Sequence, residues 1–258
     1  MIDIHSHIIP SIDDGAKSEE MALEMLSLAE STGTKKIILT PHYFRGRFMT
    51  PLSEVKEKLS YMRKLTKDNN INLELYIGQE IYFTPSLLED LKNGEIGTLN
   101  DTRYMLIEFN IAEIDEGAFD ILYELRIKGI IPIIAHPERY IELQKEPSKI
   151  NDFIEEGCLF QLDAASISGL FGKEAKKTAE IFLEHNTYSF VGSDAHTNNK
   201  RDTNLEKYRE SIEEIQKDFM KVASDNAQLL LENKELEFKG RRIEKKKKKG
   251  FFSFFSRG

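Results

Sequence analysis

The stretch 115–137, DEGAFDILYELRIKGIIPIIAHP, decides the fold. Asp115 stands before EGAFDILYELRIK, which carries helix signals, and Gly129 closes that run. Directly after it, Ile130–Ala135 is a short β-branched run that ends at His136. A helix that hands over through one glycine to a buried strand is the unit of an α/β fold with a parallel sheet. The same rhythm extends outward in both directions. Met1–His5, Lys36–Thr40, Ile71–Ile77, Tyr104–Phe109, Cys158–Leu162 and Tyr188–Val191 also read as buried strands. Helix signals lie between them: Ser18 before EEMALEMLSLAES with Gly33 behind it, Ser53 before EVKEKLSYMRKL, and Thr84-Pro85 before SLLEDLKN with Gly94 behind it. Pro147 to Gly157, Lys173 to Asn186 and a long final helix from about Asn204 complete the set. Seven strand–helix units without a composition break predict a single-domain α/β fold with a closed or nearly closed parallel barrel. An open doubly wound sheet is the alternative.

Composition narrows the function. The chain has 258 residues, 40% of them apolar, and a net charge of −8. No run of about 18 uncharged apolar residues occurs, and MIDIHSHIIP lacks the basic and apolar regions of a signal peptide, so the expected location is the cytoplasm. One cysteine, Cys158, excludes an internal disulfide or a thiolate zinc site. The charge is uneven: 241–258 holds eight basic residues and one acid, whereas the remainder holds 28 basic and 43 acidic residues. An acidic body has no general electrostatic footprint for nucleic acid.

The ends of the proposed strands carry the chemistry. They hold His5-Ser6-His7, Pro41-His42, Gln79-Glu80, Glu108, His136, and Asp194 with His196. Such ends ring one mouth of a parallel barrel, where active sites are built. Five of the six histidines fall there; His185, before Asn186 at a helix C-terminus, reads as structural. His-x-His on a strand puts two imidazoles on one face, suited to chelating an ion. Ligation by nitrogen and oxygen without sulfur suits Mn²⁺, Fe²⁺ or Zn²⁺, and the carboxylates favour Mn²⁺. The number of donors exceeds the need of one ion, and Glu80 has two oxygens with which to bridge a pair.

His5-Ser6-His7, Asp13-Asp14-Gly15, Thr40-Pro41-His42, Gly78-Gln79-Glu80, Glu108, Ala135-His136-Pro137-Glu138-Arg139-Tyr140 and Gly192-Ser193-Asp194-Ala195-His196 resemble the polymerase and histidinol phosphatase (PHP) superfamily. Within it they are most similar to the manganese-dependent protein tyrosine phosphatases of bacterial capsule and exopolysaccharide operons. The resemblance runs from Met1 to about Leu230. It implies a domain over 1–230, with 231–258 as a charged linker and basic-aromatic tail, and a distorted seven-stranded (β/α) barrel of PHP type that holds three metal ions. The implied ligands are His5, His7, Glu80 and Asp194 for the first ion, and Glu80, Glu108 and His136 for the second. Asp14, His42 and His196 would hold the third. Asp13-Asp14-Gly15 also reads as an ordinary turn; the resemblance favours Asp14 as the ligand, with Asp13 as its competitor.

Other residues take supporting parts. Arg139 and Arg201 flank the expected mouth and suit bidentate contact with phosphoryl oxygens, with Arg45 and Arg47 as weaker alternatives. Tyr43, Phe44 and Phe48 are candidates for an aromatic wall, and Asp163 for orienting a ligand or loop. Cys158 reads as a buried small hydrophobe. A thiolate phosphatase needs an arginine six positions after its cysteine, and position 164 is Ala. Metal-bound water is the expected nucleophile instead, because ligation lowers its pKa from 15.7 towards about 7.

The expected function is therefore hydrolysis of phosphotyrosine, with a metal-bound water or His42 protonating the phenolate. By resemblance, the substrate is the tail of a cognate membrane-associated tyrosine kinase that controls polysaccharide export. A small-molecule phosphatase of histidinol phosphate type and a catalytically silent kinase adaptor are the alternatives. A homo-oligomer is compatible with the sequence. Five lysines followed by Gly250-Phe251-Phe252-Ser253-Phe254-Phe255 suit peripheral contact with an anionic membrane.

Overall fold

In the computed structural model, which describes residues 1–245, short parallel strands alternate with helices. Strand β1 (Ile2–Asp3) leads through a long turn to helix α1 (Glu19–Ser31). Ser18 caps that helix by accepting a hydrogen bond from Met21 N, and Ala22, Met25, Leu26 and Ala29 form its buried face at helical spacing. There follow β2 (Lys36–Leu39), β3 (His42–Tyr43), α2 (Leu52–Asp68), β4 (Glu74–Ile77), β5 (Glu80–Tyr82), α3 (Leu87–Lys92), β6 (Tyr104–Glu108) and α4 (Ala118–Ile127). The second half adds β7 (Ile131–Ala135), α5 (Ile141–Lys145), α6 (Ile150–Glu155), β8 (Leu159–Asp163), α7 (Lys173–Glu184), β9 (Phe190–Gly192), α8 (Arg209–Glu213) and α9 (Phe219–Leu231).

The described residues contain nine strands rather than seven, in sheets of order β1-β2-β4 and β3-β5-β6-β7-β8-β9, all parallel. The two additional strands, β3 and β5, follow shortly after β2 and β4, past the expected strand limits at Thr40 and Ile77. Between β2 and β3, Pro41 has no N–H to give to a ladder. Between β4 and β5, Gly78 passes so close to Leu99 and Ile38 that a Cβ would stand 2.7 and 2.9 Å from their methyl groups. Gln79, next to it, turns its amide outward, donating to Thr50 O and Glu95 O and accepting from Gly97 N. The sheet is curled, and its outer edges meet: Asp194 N donates to His5 O and His7 N to Ala195 O, both at 2.9 Å.

Helix boundaries shift as well. Ser53 lies inside α2, which Pro51 precedes. The expected long final helix is broken into α8 and α9, because Asp218 adopts a left-handed conformation at φ 60°.

Both faces of the six-stranded sheet are buried. Met105, Ile107, Ile134 and Phe160 join one apolar cluster with the flanking helices, while Leu106, Ile133, Ala135 and Leu159 join another with Ile4, Ile38 and Phe190. The second face continues past Leu106 to Glu108, and past Leu159 to Gln161 and Asp163, by the two-residue alternation of a strand. Polar groups thus take over from the core at the C-terminal strand ends. After α9 the chain returns across the body: Arg241 N donates to His185 O, and Ile243 exchanges two hydrogen bonds with Asn151. Most of the expected basic-aromatic tail lies beyond Lys245, outside the described residues.

Candidate metal centre

Nine expected donors meet at the C-terminal strand ends. His5 Nε2 and His7 Nε2 are 3.1 Å apart, and His5 lies 3.1 Å from Glu80 Oε2 and 3.5 Å from Asp194 Oδ1. His7 Nε2 is 3.2 and 3.4 Å from the same two oxygens. His5 Nδ1 is engaged by Gln161 Oε1 at 2.9 Å and His7 Nδ1 by Asp13 Oδ2 at 2.8 Å, which leaves both Nε2 atoms turned toward each other. Four fully buried atoms so arranged need positive charge among them, from protons or from a metal ion. Their separations match the edges of about 3.0–3.5 Å that metal–ligand bonds of about 2.1 Å generate. The donor set therefore fits a metal ion.

Glu80 extends the cluster. Its Oε2 also lies 3.0 Å from His42 Nδ1, and its Oε1 lies 3.0 Å from His136 Nε2. Glu108 stands 3.6 Å from His136 Nε2 and 3.8 Å from His42 Nδ1. On the remaining side, Asp14 Oδ1 is 3.3 Å from His196 Nε2 and 3.5 Å from His42 Nε2. Three donor groups are close enough to hold ions: His5-His7-Glu80-Asp194, His42-Glu80-Glu108, and His7-Asp14-His42-His196. The grouping departs from the expected one in three ways. His136, expected beside Glu80 and Glu108, belongs to none of the three groups although it lies next to both carboxylates. His42 approaches Glu80 and Glu108 as well as Asp14, and His7 stands near the third group as well as in the first. Asp14 rather than Asp13 faces the cluster, because Asp13 is spent on His7 Nδ1, His42 N and Gly15 N.

The local backbone is bent to achieve this. His136 and Asp194 both sit at positive φ, 32° and 45°, a conformation that costs energy in residues with a Cβ. Asp194 is held there by its N–H bond to His5 O, and the preceding Ser193 is fixed through its N–H and hydroxyl to the buried carboxylate of Asp3.

Charge is densely packed. Burial would raise the Glu80 pKa, but facing His5 and His42 hold it well below the usual carboxylate range. Burial, reinforced by the Glu80 charge, pushes Glu108 up to about 8, while burial and Arg139 press His136 down to about 4. Asp194 joins the two halves of the site. Its Oδ1 faces the histidines, and its Oδ2 accepts from Arg139 Nη1 at 2.7 Å and Arg201 Nη2 at 2.5 Å.

Arg139 and Arg201 line a cleft of about 180 Å³ with Asp14, Glu80 and Glu108. Arg47, Phe44 and Phe48 also reach it, but Arg45 is taken up by Asp90 and Glu89. Tyr43 is buried in the core and forms no part of the wall; its place is taken by Tyr82, stacked on Phe44 with ring centroids 3.9 Å apart. Tyr82 follows Glu80 by two residues and so shares its strand face, a signal that was readable. Asp163 is fully buried, with Oδ2 3.6 Å from Arg139 Nη1. Glu138, part of the quoted motif but without an expected role, is equally buried and accepts hydrogen bonds from Ser166, Tyr188 and Asp163 N. Cys158 is buried away from the cleft, and burial drives its thiol pKa upward, so no thiolate nucleophile is available. His185 caps α7, its Nδ1 2.8 Å from Ile181 O.

The family described as capsular polysaccharide synthesis, CpsB/CapC, matches residues 1–233. The chain belongs to the CpsB/CapC family. Among its relatives, the tyrosine-protein phosphatase YwqE of Bacillus subtilis is 35% identical over 240 residues, covering 92% of this chain and 93% of YwqE. The tyrosine-protein phosphatase CpsB of Streptococcus pneumoniae is 38% identical over 210 residues, covering 78% of this chain and 85% of CpsB. A crystal structure from work on YwqE and CpsB, described as unique metal-dependent tyrosine phosphatases, superposes with a TM-score of 0.89 at 34% identity. That match covers 95% of this CpsB/CapC chain and all of the crystallised one.

Proposed function

We propose that this chain is a metal-dependent protein-tyrosine phosphatase acting on a cognate bacterial tyrosine kinase that controls polysaccharide synthesis or export. The observation that carries the reading is the division of labour at Asp194, with imidazole and carboxylate donors on one oxygen and two arginines of the cleft on the other. The high-coverage relatives named tyrosine-protein phosphatases support it.

Residues 1–230 form the catalytic unit in this reading, which the family match supports. The ions are Mn²⁺, three per chain, a choice supported by the sulfur-free, carboxylate-rich donors. His5, His7, Glu80 and Asp194 hold the first; Glu80, Glu108 and His136 hold the second, with His42 in reach; Asp14, His42 and His196 hold the third, next to His7. When bound, the ions supply an activated water and positive charge for the phosphoryl oxygens.

The chain's own residues do the rest. Arg139 and Arg201, with side chains 17% and 28% exposed, present guanidinium N–H groups to the phosphoryl oxygens. Arg201 Nε is buried and has no hydrogen-bond partner among the described residues. Phe44, Tyr82 and Phe48 wall the cleft where a phenyl ring enters. His42 also lines the cleft, but while its Nε2 serves the third donor group beside Asp14 it carries no proton to give, and the phenolate, a comparatively good leaving group, departs with little need of one.

The protein is cytoplasmic in this reading, and segment 241–258 makes peripheral contact with an anionic membrane, a proposal supported by its charge and aromatic content. No helix among the described residues is long and apolar enough to cross a membrane. Purified protein assayed against a phosphotyrosine peptide and histidinol phosphate, with and without Mn²⁺ after chelation, tests the function. Hydrolysis of the peptide only with metal is the expected result; preference for histidinol phosphate would replace the protein substrate with a small one.

A further inference from the structure

Both phosphoryl-site arginines rest on one aromatic ring. The Arg139 guanidinium carbon lies 4.3 Å from the centroid of Phe171, and that of Arg201 lies 5.6 Å from it. Phe171 does not itself line the cleft. It sits in the turn Gly169-Leu170-Phe171-Gly172 between β8 and α7, and both glycines have positive φ, 82° and 92°. Gly172 N closes the turn on Gly169 O. The turn leaves Leu170 41% exposed while Phe171 packs against the main apolar cluster.

We propose that Phe171 is a positioning residue that holds Arg139 and Arg201 together at the phosphoryl site. This rests on the reading of those arginines as phosphoryl ligands. A guanidinium lying on a ring keeps its N–H groups in the plane of its own fork, free to make hydrogen bonds at its edge. The arginines come from separate segments, one after β7 and one after β9, and no direct bond fixes them to each other; Asp194 Oδ2 and the ring are what they share. Asp194 pulls both toward the metal donors, and Asp163 offers Arg139 a second carboxylate at 3.6 Å. The ring gives both guanidinium groups one common surface. Without it, Arg139 keeps its carboxylate partners but loses the face that fixes how its remaining N–H groups are presented to the cleft.

The test uses the full-length, Mn²⁺-loaded protein with Phe171→Leu, Phe171→Tyr, Arg139→Ala and the Phe171→Leu/Arg139→Ala double variant. Binding of inorganic phosphate is measured by calorimetry, alongside kcat and KM for a phosphotyrosine peptide, metal content and melting temperature. Phe171→Leu is expected to weaken phosphate binding and lower kcat/KM about tenfold with metal content unchanged. Phe171→Tyr keeps the ring face and should stay within about twofold of wild type. Because Phe171 acts through the arginine, the double variant should lose less than the product of the two single losses. Wild-type phosphate affinity in Phe171→Leu, failure of Phe171→Tyr to preserve it, or multiplicative losses in the double variant would each overturn the proposal. Should Phe171→Leu fold poorly, Phe171→Tyr and a Phe171→Met variant decide by the same comparison. Absence of peptide hydrolysis by the wild type would strike the proposed function instead and leave the phosphate-binding comparison standing.

Discussion

His42 and Glu80 are direct partners across the β3–β5 ladder, so backbone register brings His42 Nδ1 to 3.0 Å from Glu80 Oε2. The contact does not depend on a flexible loop. Glu80 in turn touches His5, His7 and His136, which makes it the most shared donor of the centre.

Removing that carboxylate should therefore do more than removing a donor at the rim. Glu80→Ala is expected to lose more than half of its bound metal and nearly all turnover, whereas Asp14→Ala should keep the ions of the other two groups. Elemental analysis of the purified variants decides; full metal content in Glu80→Ala would take Glu80 out of the coordination shell.

Chelation should abolish hydrolysis and Mn²⁺ should restore it, while Cys158→Ser stays active. Burial holds the Cys158 thiol above its ordinary pKa, so at pH 8 it remains protonated and shielded. Alkylation by iodoacetamide should proceed in the denatured protein and be undetectable by mass spectrometry in the native one. Full activity in a verified metal-free sample is the outcome that removes metal from the mechanism.

Arg139→Ala and Arg201→Ala should each lower kcat/KM about a hundredfold, as loss of one partly desolvated charge at a phosphoryl group does. Metal content should hold, since His5, His7 and Glu80 remain. Wild-type kinetics in the double variant would reduce both arginines to counter-charges for Asp194.

Arg241 and Ile243 are tied to the body through His185 and Asn151, so a cut placed before them would disturb packing as well as remove the tail. Truncation after Lys245 separates the two. Peptide hydrolysis should be unchanged, sedimentation with anionic liposomes should be lost, and high salt should weaken binding of the full chain. Equal liposome binding by both proteins would refute membrane contact through the tail.

Much of this centre was legible because strand ends in parallel sheets are short, β-branched runs that stop at polar residues, and His5, His42, Glu80, His136 and Asp194 all stand at such stops. What was not legible depends on contacts between distant segments. Nothing local marks Gln161 as the partner of His5 Nδ1, or Asp3 as the anchor of Ser193. Tyr43 was misplaced for a simpler reason: it neighbours His42 on a strand, so when His42 faces the centre Tyr43 must face the core. The separation of β3 from β2 and of β5 from β4 turned on Pro41 and on a close approach at Gly78, and only the proline shows in the sequence. Asp218 carries no mark of its left-handed backbone, and the long final helix was expected for that reason.

The seam where the curled sheet meets itself also sets the order in which the protein can come into being. Asp3 and Ser193, 190 residues apart, are bonded across it, and His5 and Asp194 belong to the same ion-sized pocket. During synthesis the first strand leaves the ribosome long before its partner exists, and no truncated chain ending before Asp194 can assemble the first donor group. A nascent or proteolysed fragment that stops short of Asp194 therefore lacks the first donor group, and filling of that pocket becomes a late event even though His42, Glu80 and Glu108 are made early.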